Sequence, residues 1–294
     1  MTAIGREGPG ESVGAGAAAP LGLIAGNGRF PFLAAAGARR AGRRVVALAI
    51  REEAAGDLER EVDEFHWIGL GELGRGIEIL RSAGAREAVM AGQVKHRRIF
   101  SDVVPDLKLL GVLARLAFRN TDSLIGGVAE ALAREGITLL PSVAFLGDQL
   151  AVVGPMTRRQ PAREERRDVE YGETVARALA AMDLGQTAVV KHRAAVALEA
   201  MEGTDETIRR AGRIAGVGTI VVKVSKPRQD MRFDVPVVGA GTLAAMREAG
   251  SRVLAVDAGR TLMIDRAAFL AEADADGVAV LGLEPAATET RGDG

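Results

Sequence analysis

The 294-residue chain contains no cysteine. This excludes a disulfide framework, thiolate zinc sites, iron–sulfur clusters and cysteine nucleophiles, and it fits a reducing compartment. Aromatic residues amount to 3%, with one Trp and one Tyr, so stacking platforms for single-stranded nucleic acid are scarce. The formal net charge is −1, which provides no global basic field; no nucleic-acid partner is expected. No apolar run reaches the ~18 residues of a membrane-spanning helix. G-x-x-x-x-G-K-[ST] is absent, so the chain is not a P-loop nucleotidase. The D-x-H, G-D-x-x-D and G-N-H motifs of dinuclear metallophosphoesterases are absent too. His66, His96 and His192 lack metal-ligand spacing and read as structural or surface residues.

Hydrophobic residues make up 48%, enough for a sizeable core. At ~100–200 residues per domain the length suits two domains. Residues 1–19 are small and polar and read as a disordered leader. Their run Ala15–Ala19 is too short and too poor in flanking basic residues for a signal peptide. The tail from Glu284 is similar. A cytoplasmic location is expected.

Leu21–Ala25 is a short apolar run that breaks at Gly26-Asn27-Gly28. A helix from Pro31 to about Ala41 and a strand Arg44–Ile50 follow, which makes a βαβ unit. Strand-like Phe65–Ile68, Glu87–Ala91 and Ile137–Leu140 alternate with helical Leu73–Ala83, Leu107–Phe118 and Ser123–Arg134. Such alternation predicts an α/β fold with a mostly parallel sheet. Polar Thr157–Arg167 interrupts it, either as a connector or as the start of a helix through Tyr171–Met182. Beyond it, Thr187–Lys191 and Ala194–Glu199 read as strands around a turn at His192-Arg193. A helix Glu206–Ala211, a strand Thr219–Val224, a helix Thr242–Ala249, a hairpin of Arg252–Val256 with Thr261–Ile264, a helix from Arg266 and a strand Val278–Leu283 follow. We place an N-terminal domain at 20–150, a linker at 151–165 and a second α/β domain at 166–284.

Gly26-Asn27-Gly28-Arg29-Phe30-Pro31 sits between strand and helix. Glycines there let a backbone approach a diphosphate, and a helix start offers N–H donors. The pattern lacks the third glycine of the dinucleotide fingerprint. Glu52 and Glu53 stand near the place of a ribose-binding acid. A tight βα turn without ligand is the competing reading.

The stretch from Lys223 to Pro236 is the most informative. If it is extended, Asp230, Arg232 and Asp234 share one face. Such a face suits Mg²⁺ on carboxylates with Arg and Lys on phosphate oxygens, or a carboxylate acting on water. An edge strand with a solvated ion pair is the alternative. In Glu202-Gly203-Thr204-Asp205, Thr204 or Asp205 can cap the following helix, or supply a hydroxyl and an acid at a strand end.

Between Lys95 and Arg119, six basic residues (Lys95, Arg97, Arg98, Lys108, Arg115, Arg119) face only Asp102 and Asp106. Leu109, Val112, Leu113 and Leu116 recur at helical spacing, with Lys108, Arg115 and Arg119 on another side. This is a core-packed helix with a solvated face, or a basic helix touching an anionic bilayer.

These residues resemble the LpxI-type UDP-2,3-diacylglucosamine diphosphatases of lipid A biosynthesis. The resemblance is carried by Leu21–Gly28 with Pro31, Ala91-Gly92-Gln93-Val94, Glu199 through Asp205, and Lys223 through Pro236 with Gly239. It spans roughly residues 20–283, and the Glu-Gly-Thr-Asp and K-P-x-Q-D-x-R-F-D-x-P combination is its specific part. It implies a Rossmann-like N-terminal domain, a C-terminal catalytic and lipid-binding α/β domain, and a site between them. The implied reaction is Mg²⁺-dependent hydrolysis of UDP-2,3-diacylglucosamine to UMP and 2,3-diacylglucosamine 1-phosphate (lipid X). Asp234 and Asp230 are the implied catalytic residues and metal ligands. Gly26, Asn27, Gly28, Gln93, Glu202, Gly203, Thr204, Asp205, Lys223, Lys226, Gln229 and Arg232 are the implied substrate contacts. Asn120-Thr121-Asp122 departs from the more acidic segment expected there. Peripheral contact with the inner membrane suits an acylated substrate. A nicotinamide-dependent oxidoreductase and a non-catalytic nucleotide-sugar or lipid-binding protein are the alternatives.

Overall fold

The computed structural model describes residues 18–94, 104–115 and 121–284. Most of the leader, the tail after Glu284, Lys95, His96, Arg97, Arg98, Asp102, Arg119 and Asn120 lie outside the described residues, as do the side chains of Thr121 and Asp122.

The first domain is a fully parallel five-stranded sheet. Its strands are β1 (Leu21–Ala25), β2 (Val45–Ile50), β3 (Glu64–Ile68), β4 (Glu87–Ala91) and β5 (Thr138–Leu139), in the order β3-β2-β1-β4-β5. Helix α1 (Phe30–Arg40) covers one face, where Ala34, Ala35 and Ala38 meet Leu21, Leu23, Ala25 and Val89. Helices α2 (Leu73–Ser82) and α4 (Thr121–Arg134) cover the other, where Ile77, Leu80, Ala129 and Leu132 meet Val46, Leu48 and Ala88. Every residue of β2 is buried, which is why it reads as an unbroken apolar run rather than an alternation. The strand order reverses between β1 and β4, the switch point where open α/β sheets bind ligands.

Helix α3 (Leu107–Leu113) is shorter than the predicted 107–118. Asp106 caps it through the Leu109 N–H, and its chain turns out of helix at Ala114. Lys108 is exposed and paired with Glu135. Leu109 and Val112 are buried as expected, whereas Val104, Leu107 and Leu110 are exposed.

The second domain holds a six-stranded mixed sheet. Its strands are β6 (Gly154–Pro155), β7 (Thr187–Lys191), β8 (Ala194–Leu198), β9 (Ile220–Lys223), β11 (Val253–Asp257) and β13 (Ala279–Leu283), in the order β6-β13-β11-β9-β7-β8. Strands β9, β11 and β13 are parallel; β6, β7 and β8 pair antiparallel with their neighbours. Helix α5 (Arg163–Ala181) packs on one face through Val169, Ala176 and Ala180. Helices α6 (Thr204–Ala215), α7 (Ala240–Ala249) and α8 (Arg266–Ala275) cover the other through Ile208, Leu243, Met246 and Phe269. The turn between β7 and β8 places both His192 and Arg193 at positive φ, and Asp168 on α5 accepts both of their N–H groups. Within 151–165, Gly154–Pro155 pairs with β13 and Arg163 opens α5, so this connector is built into the second domain.

The hairpin expected from 252–264 is not formed. Strand β11 is flanked on both sides, by β9 and β13, and has no free edge for its successor. The chain instead turns at Gly259, whose N–H reaches the Ala151 carbonyl, and β12 (Leu262–Met263) pairs parallel with β10 (Val237–Val238) in a separate ribbon.

Candidate active site

The glycine turn lies at the switch point of the first sheet. Asn27 and Gln93 exchange backbone hydrogen bonds, 2.7 Å from Asn27 N to Gln93 O and 3.2 Å in return. The two loops that leave β1 and β4 are thereby tied together. Their contact requires glycine: a Cβ on Gly26 would fall 2.6 Å from the Gln93 carbonyl oxygen, and one on Gly92 would fall 2.5 Å from that of Asn27. Gly28 differs from both. It shares a positive φ with Gly92, +94 against +91, but has open space where a side chain would stand. Arg29, the residue before α1, makes no side-chain cap, so the helix start presents backbone N–H groups beside that space. Glu53, after β2, is buried.

In the second domain several of the predicted site residues gather at the carboxyl end of β9, beside the start of β7 and the end of β8. Lys223 closes β9, pairs across the sheet with Thr187, and is only 6% exposed. Its ammonium donates to Thr204 Oγ1 at 2.9 Å and to the Val237 carbonyl at 3.0 Å. Burial pushes the Lys223 pKa down; the charges of Glu199, Asp205 and Asp234 oppose that shift.

Neither Thr204 nor Asp205 caps α6. Gly203, at φ 83, is the residue before the helix, and it has no side chain to cap with. The Thr204 hydroxyl bonds Glu199 and Lys223 instead, and Asp205 accepts from Thr242 at 3.2 Å. Glu202 is used by its own loop and by α6. It takes Arg210 at 2.6 Å and the Ala200 N–H at 3.2 Å, and its own backbone N–H, then Arg210, hold its carboxyl below the usual range.

The segment after β9 corrects an expectation. Residues 225–236 are not an extended strand, and Asp230, Arg232 and Asp234 do not alternate along a pleated face. Two consecutive turns form instead, with Gln229 N on Lys226 O at 3.1 Å and Asp234 N on Asp230 O at 2.8 Å. The cause is local. The Asp230 carboxylate accepts the Arg232 backbone N–H at 3.1 Å, a side-chain bond that competes with a sheet ladder, and Pro227 and Pro236 have no N–H to give.

These turns give the two aspartates different surroundings. Asp230 is gripped by its neighbour, with Arg232 Nε at 2.9 Å and Nη2 at 2.6 Å, and Arg232 holds its carboxyl below the usual range. Asp234 has the Lys226 ammonium 3.4 Å from Oδ2, and the same ammonium meets Asp183 at 2.8 Å. Burial works against the Lys226 charge, but the Asp183 and Asp234 carboxylates outweigh it and raise its pKa. Gln229 fixes both ends of the loop, accepting the Lys226 N–H at 2.7 Å and donating to the Asp234 carbonyl.

Among the described residues no group of three or more His, Asp or Glu side chains converges as a metal cage. Mg²⁺ bound with substrate phosphates needs only one or two carboxylates. Asp234 suits that role, since among the described residues only its Oδ2 is ion-paired, to Lys226 at 3.4 Å; Asp230 is committed to Arg232.

The two domains meet at this segment. Ser142, in the loop after β5, donates its N–H to the Met231 carbonyl at 2.8 Å and its hydroxyl to the Arg232 carbonyl at 2.7 Å. Arg29 beside the glycine turn pairs with Asp265 before α8 at 3.1 Å. Sequence reasoning assigned no role to Ser142, Asp183, Thr187 or Glu199. Only Glu199 stood within a recognisable motif; the others acquire partners through tertiary contacts.

The molecule is thus a two-domain α/β protein, a Rossmann-like parallel sheet joined to a second, mixed sheet through the Ser142 and Arg29 contacts. Residues 20–150 match the LpxI N-terminal domain and residues 152–281 match the LpxI C-terminal domain; the chain belongs to the LpxI family. It is 34% identical over 276 residues to the UDP-2,3-diacylglucosamine pyrophosphatase LpxI of Caulobacter vibrioides, covering 90% of this chain and 98% of that protein. A structural match to the crystal structure of gox2253 has 15% identity and a TM-score of 0.29, covering 90% of this chain and 77% of that one.

Proposed function

We propose that this protein hydrolyses the diphosphate of UDP-2,3-diacylglucosamine, giving UMP and 2,3-diacylglucosamine 1-phosphate. The carrying observation is the buried Lys223 ammonium among Glu199, Asp205 and Asp234, beside the Lys226–Asp234 pair. A diphosphate is what such mixed charge recognises: cations take its oxygens, while a carboxylate handles water. The near full-length match to the Caulobacter protein supports the substrate.

In this reading Gly28 and the start of α1 receive the nucleotide end, and Lys223, Lys226 and Arg232 face the diphosphate. Asp234 orients the attacking water and accepts its proton. A new P–O bond forms from that water, and the bridging P–O bond breaks with its electron pair on the leaving phosphate. Asp234 would hold Mg²⁺, which when bound would supply neutralisation of the charge that builds on the leaving group. Asp230 positions Arg232. The protein works in the cytoplasm at the membrane surface, which exposed Val104, Leu107 and Leu110 beside Lys108 and Arg115 support.

The test is turnover of UDP-2,3-diacylglucosamine with and without Mg²⁺, following UMP and lipid X. Release of both only with metal is expected. Binding without release would make this a binding protein, and release without any divalent cation would remove Mg²⁺ from the scheme.

A further inference from the structure

Glu199 has no role in the scheme above, yet it is only 8% exposed and both of its oxygens are used. Oε1 accepts the Thr204 hydroxyl proton at 2.8 Å, and Oε2 accepts the Gln186 N–H at 3.1 Å. A threonine hydroxyl has one proton and two lone pairs. With its proton on Glu199, Thr204 Oγ1 can only accept from its other neighbours. Those are Lys223 Nζ at 2.9 Å and Thr187 Oγ1 at 3.3 Å, so Thr187 is the donor of that pair. The Thr204 oxygen is saturated and its lone pairs are fixed in direction.

The consequence falls on Lys223. An ammonium has three N–H bonds. Thr204 and the Val237 carbonyl take two of them, and among the described residues no further acceptor is bonded to Nζ. Without Glu199 the Thr204 proton could swing toward Thr187, and the ammonium would lose both a fixed acceptor and a nearby negative charge.

We propose that Glu199 is a positioning residue: by fixing the Thr204 hydroxyl it orients the Lys223 ammonium and leaves its third N–H for a diphosphate oxygen. The inference rests on the diphosphatase reading and adds to it a residue that touches no substrate. Lys223 counts most when charge builds on the phosphates, so loss of orientation lowers kcat more than it raises KM.

The test is steady-state hydrolysis of UDP-2,3-diacylglucosamine by the full chain, with thermal unfolding of every variant. Glu199→Gln and Thr204→Val are expected to lower kcat by about ten- to a hundredfold, the worth of a hydrogen bond to a charged group, with KM nearly unchanged. Thr204→Ser keeps the hydroxyl and should restore most of the rate. In a Lys223→Met background Glu199→Gln should cost nothing further. The same holds in a Thr204→Val background, which serves if the Lys223 variant does not fold. Equal losses from Glu199→Gln in the changed and unchanged backgrounds, or a Thr204→Ser enzyme as slow as Thr204→Val, would overturn the role of Glu199 alone. A folded unmodified protein without turnover would overturn the diphosphatase reading and this inference with it.

Discussion

Ser142 donates its hydroxyl to the Arg232 carbonyl at 2.7 Å, fastening the first domain to the loop that carries Asp230 and Asp234. Ser142→Ala removes that bond and leaves a carbonyl without this donor, at a cost of about 1 kcal/mol. Because the backbone bond from Ser142 N to Met231 O survives, the fold should persist while kcat drops several-fold. A Ser142→Ala enzyme with unaltered kcat and a lowered Tm would make the contact purely structural.

Asp234 is the residue whose loss should hurt turnover most. Asp234→Ala is expected to lower kcat by about two to four orders of magnitude, the range of a lost general base, with the fold intact. Ground-state affinity should hold or tighten, since an anion beside a diphosphate is gone. Asp230→Ala should act differently: it frees Arg232, so KM rises together with the fall in kcat. Near-normal kcat in a folded Asp234→Ala protein would move the chemistry elsewhere.

The glycines of the switch-point turn should separate stability from binding. Gly26→Ala and Gly92→Ala each drive a Cβ into a backbone carbonyl and should cost about 2 kcal/mol or more of folding stability. A Cβ at Gly28 meets no atom within 4 Å, so the main stability cost of Gly28→Val is the positive φ, about 1–2 kcal/mol. Its main effect should be a raised KM for the UDP-sugar. Calorimetry and kinetics on the three variants decide the matter; a Gly28→Val enzyme with unchanged KM would leave the turn without a ligand.

Acid should loosen the Asp230 loop. The Asp230 carboxyl titrates below its ordinary 3.8 because of Arg232, so it contributes stability above that value and loses it as pH falls through the lower folded value. The pair is partly exposed, so the contribution is at most about 1 kcal/mol. The stability difference between the native chain and Asp230→Asn should stay constant above about pH 5 and vanish in stronger acid. A difference that grows on acidification would contradict the assignment.

Membrane contact can be read by sedimentation with anionic vesicles. Val104 and Leu107 are 88% and 87% exposed, and each apolar side chain buried in the interface adds about 1.5–3 kcal/mol. Val104→Ser with Leu107→Ser should abolish most binding, and charge reversal at Lys108 and Arg115 should weaken it at low salt only. Unchanged sedimentation of both variants would return this helix to a packing role.

Local signals made much of this legible in the sequence. A short apolar run, Gly26-Asn27-Gly28 and Pro31 announce β1 and α1 because each residue acts on its own backbone. His192-Arg193 was recognisable as a turn from the strands around it, although its Asp168 clamp was not. The conformation of 225–236 was hidden, since Asp230 bonds its own neighbour and overrides the alternation that Asp230, Arg232 and Asp234 suggest. The Glu199–Thr204–Lys223 chain was hidden for another reason: it exists only once β7, β8 and β9 lie side by side. Thr204 and Asp205 looked like helix caps and became partners of Lys223 and Thr242 instead.

Strand β13, the last element among the described residues, lies inside its sheet between β11 and β6. The first domain's sheet is complete once β5 has been made, so it can fold while the ribosome is still translating the rest. The second sheet has an open slot until residues 279–283 emerge, and β6, made more than a hundred residues earlier, waits for that partner. A message truncated before codon 279 would therefore yield a finished first domain attached to a second sheet whose β11 edge lies open and whose β6 has no partner. That species invites chaperone capture or aggregation rather than partial activity.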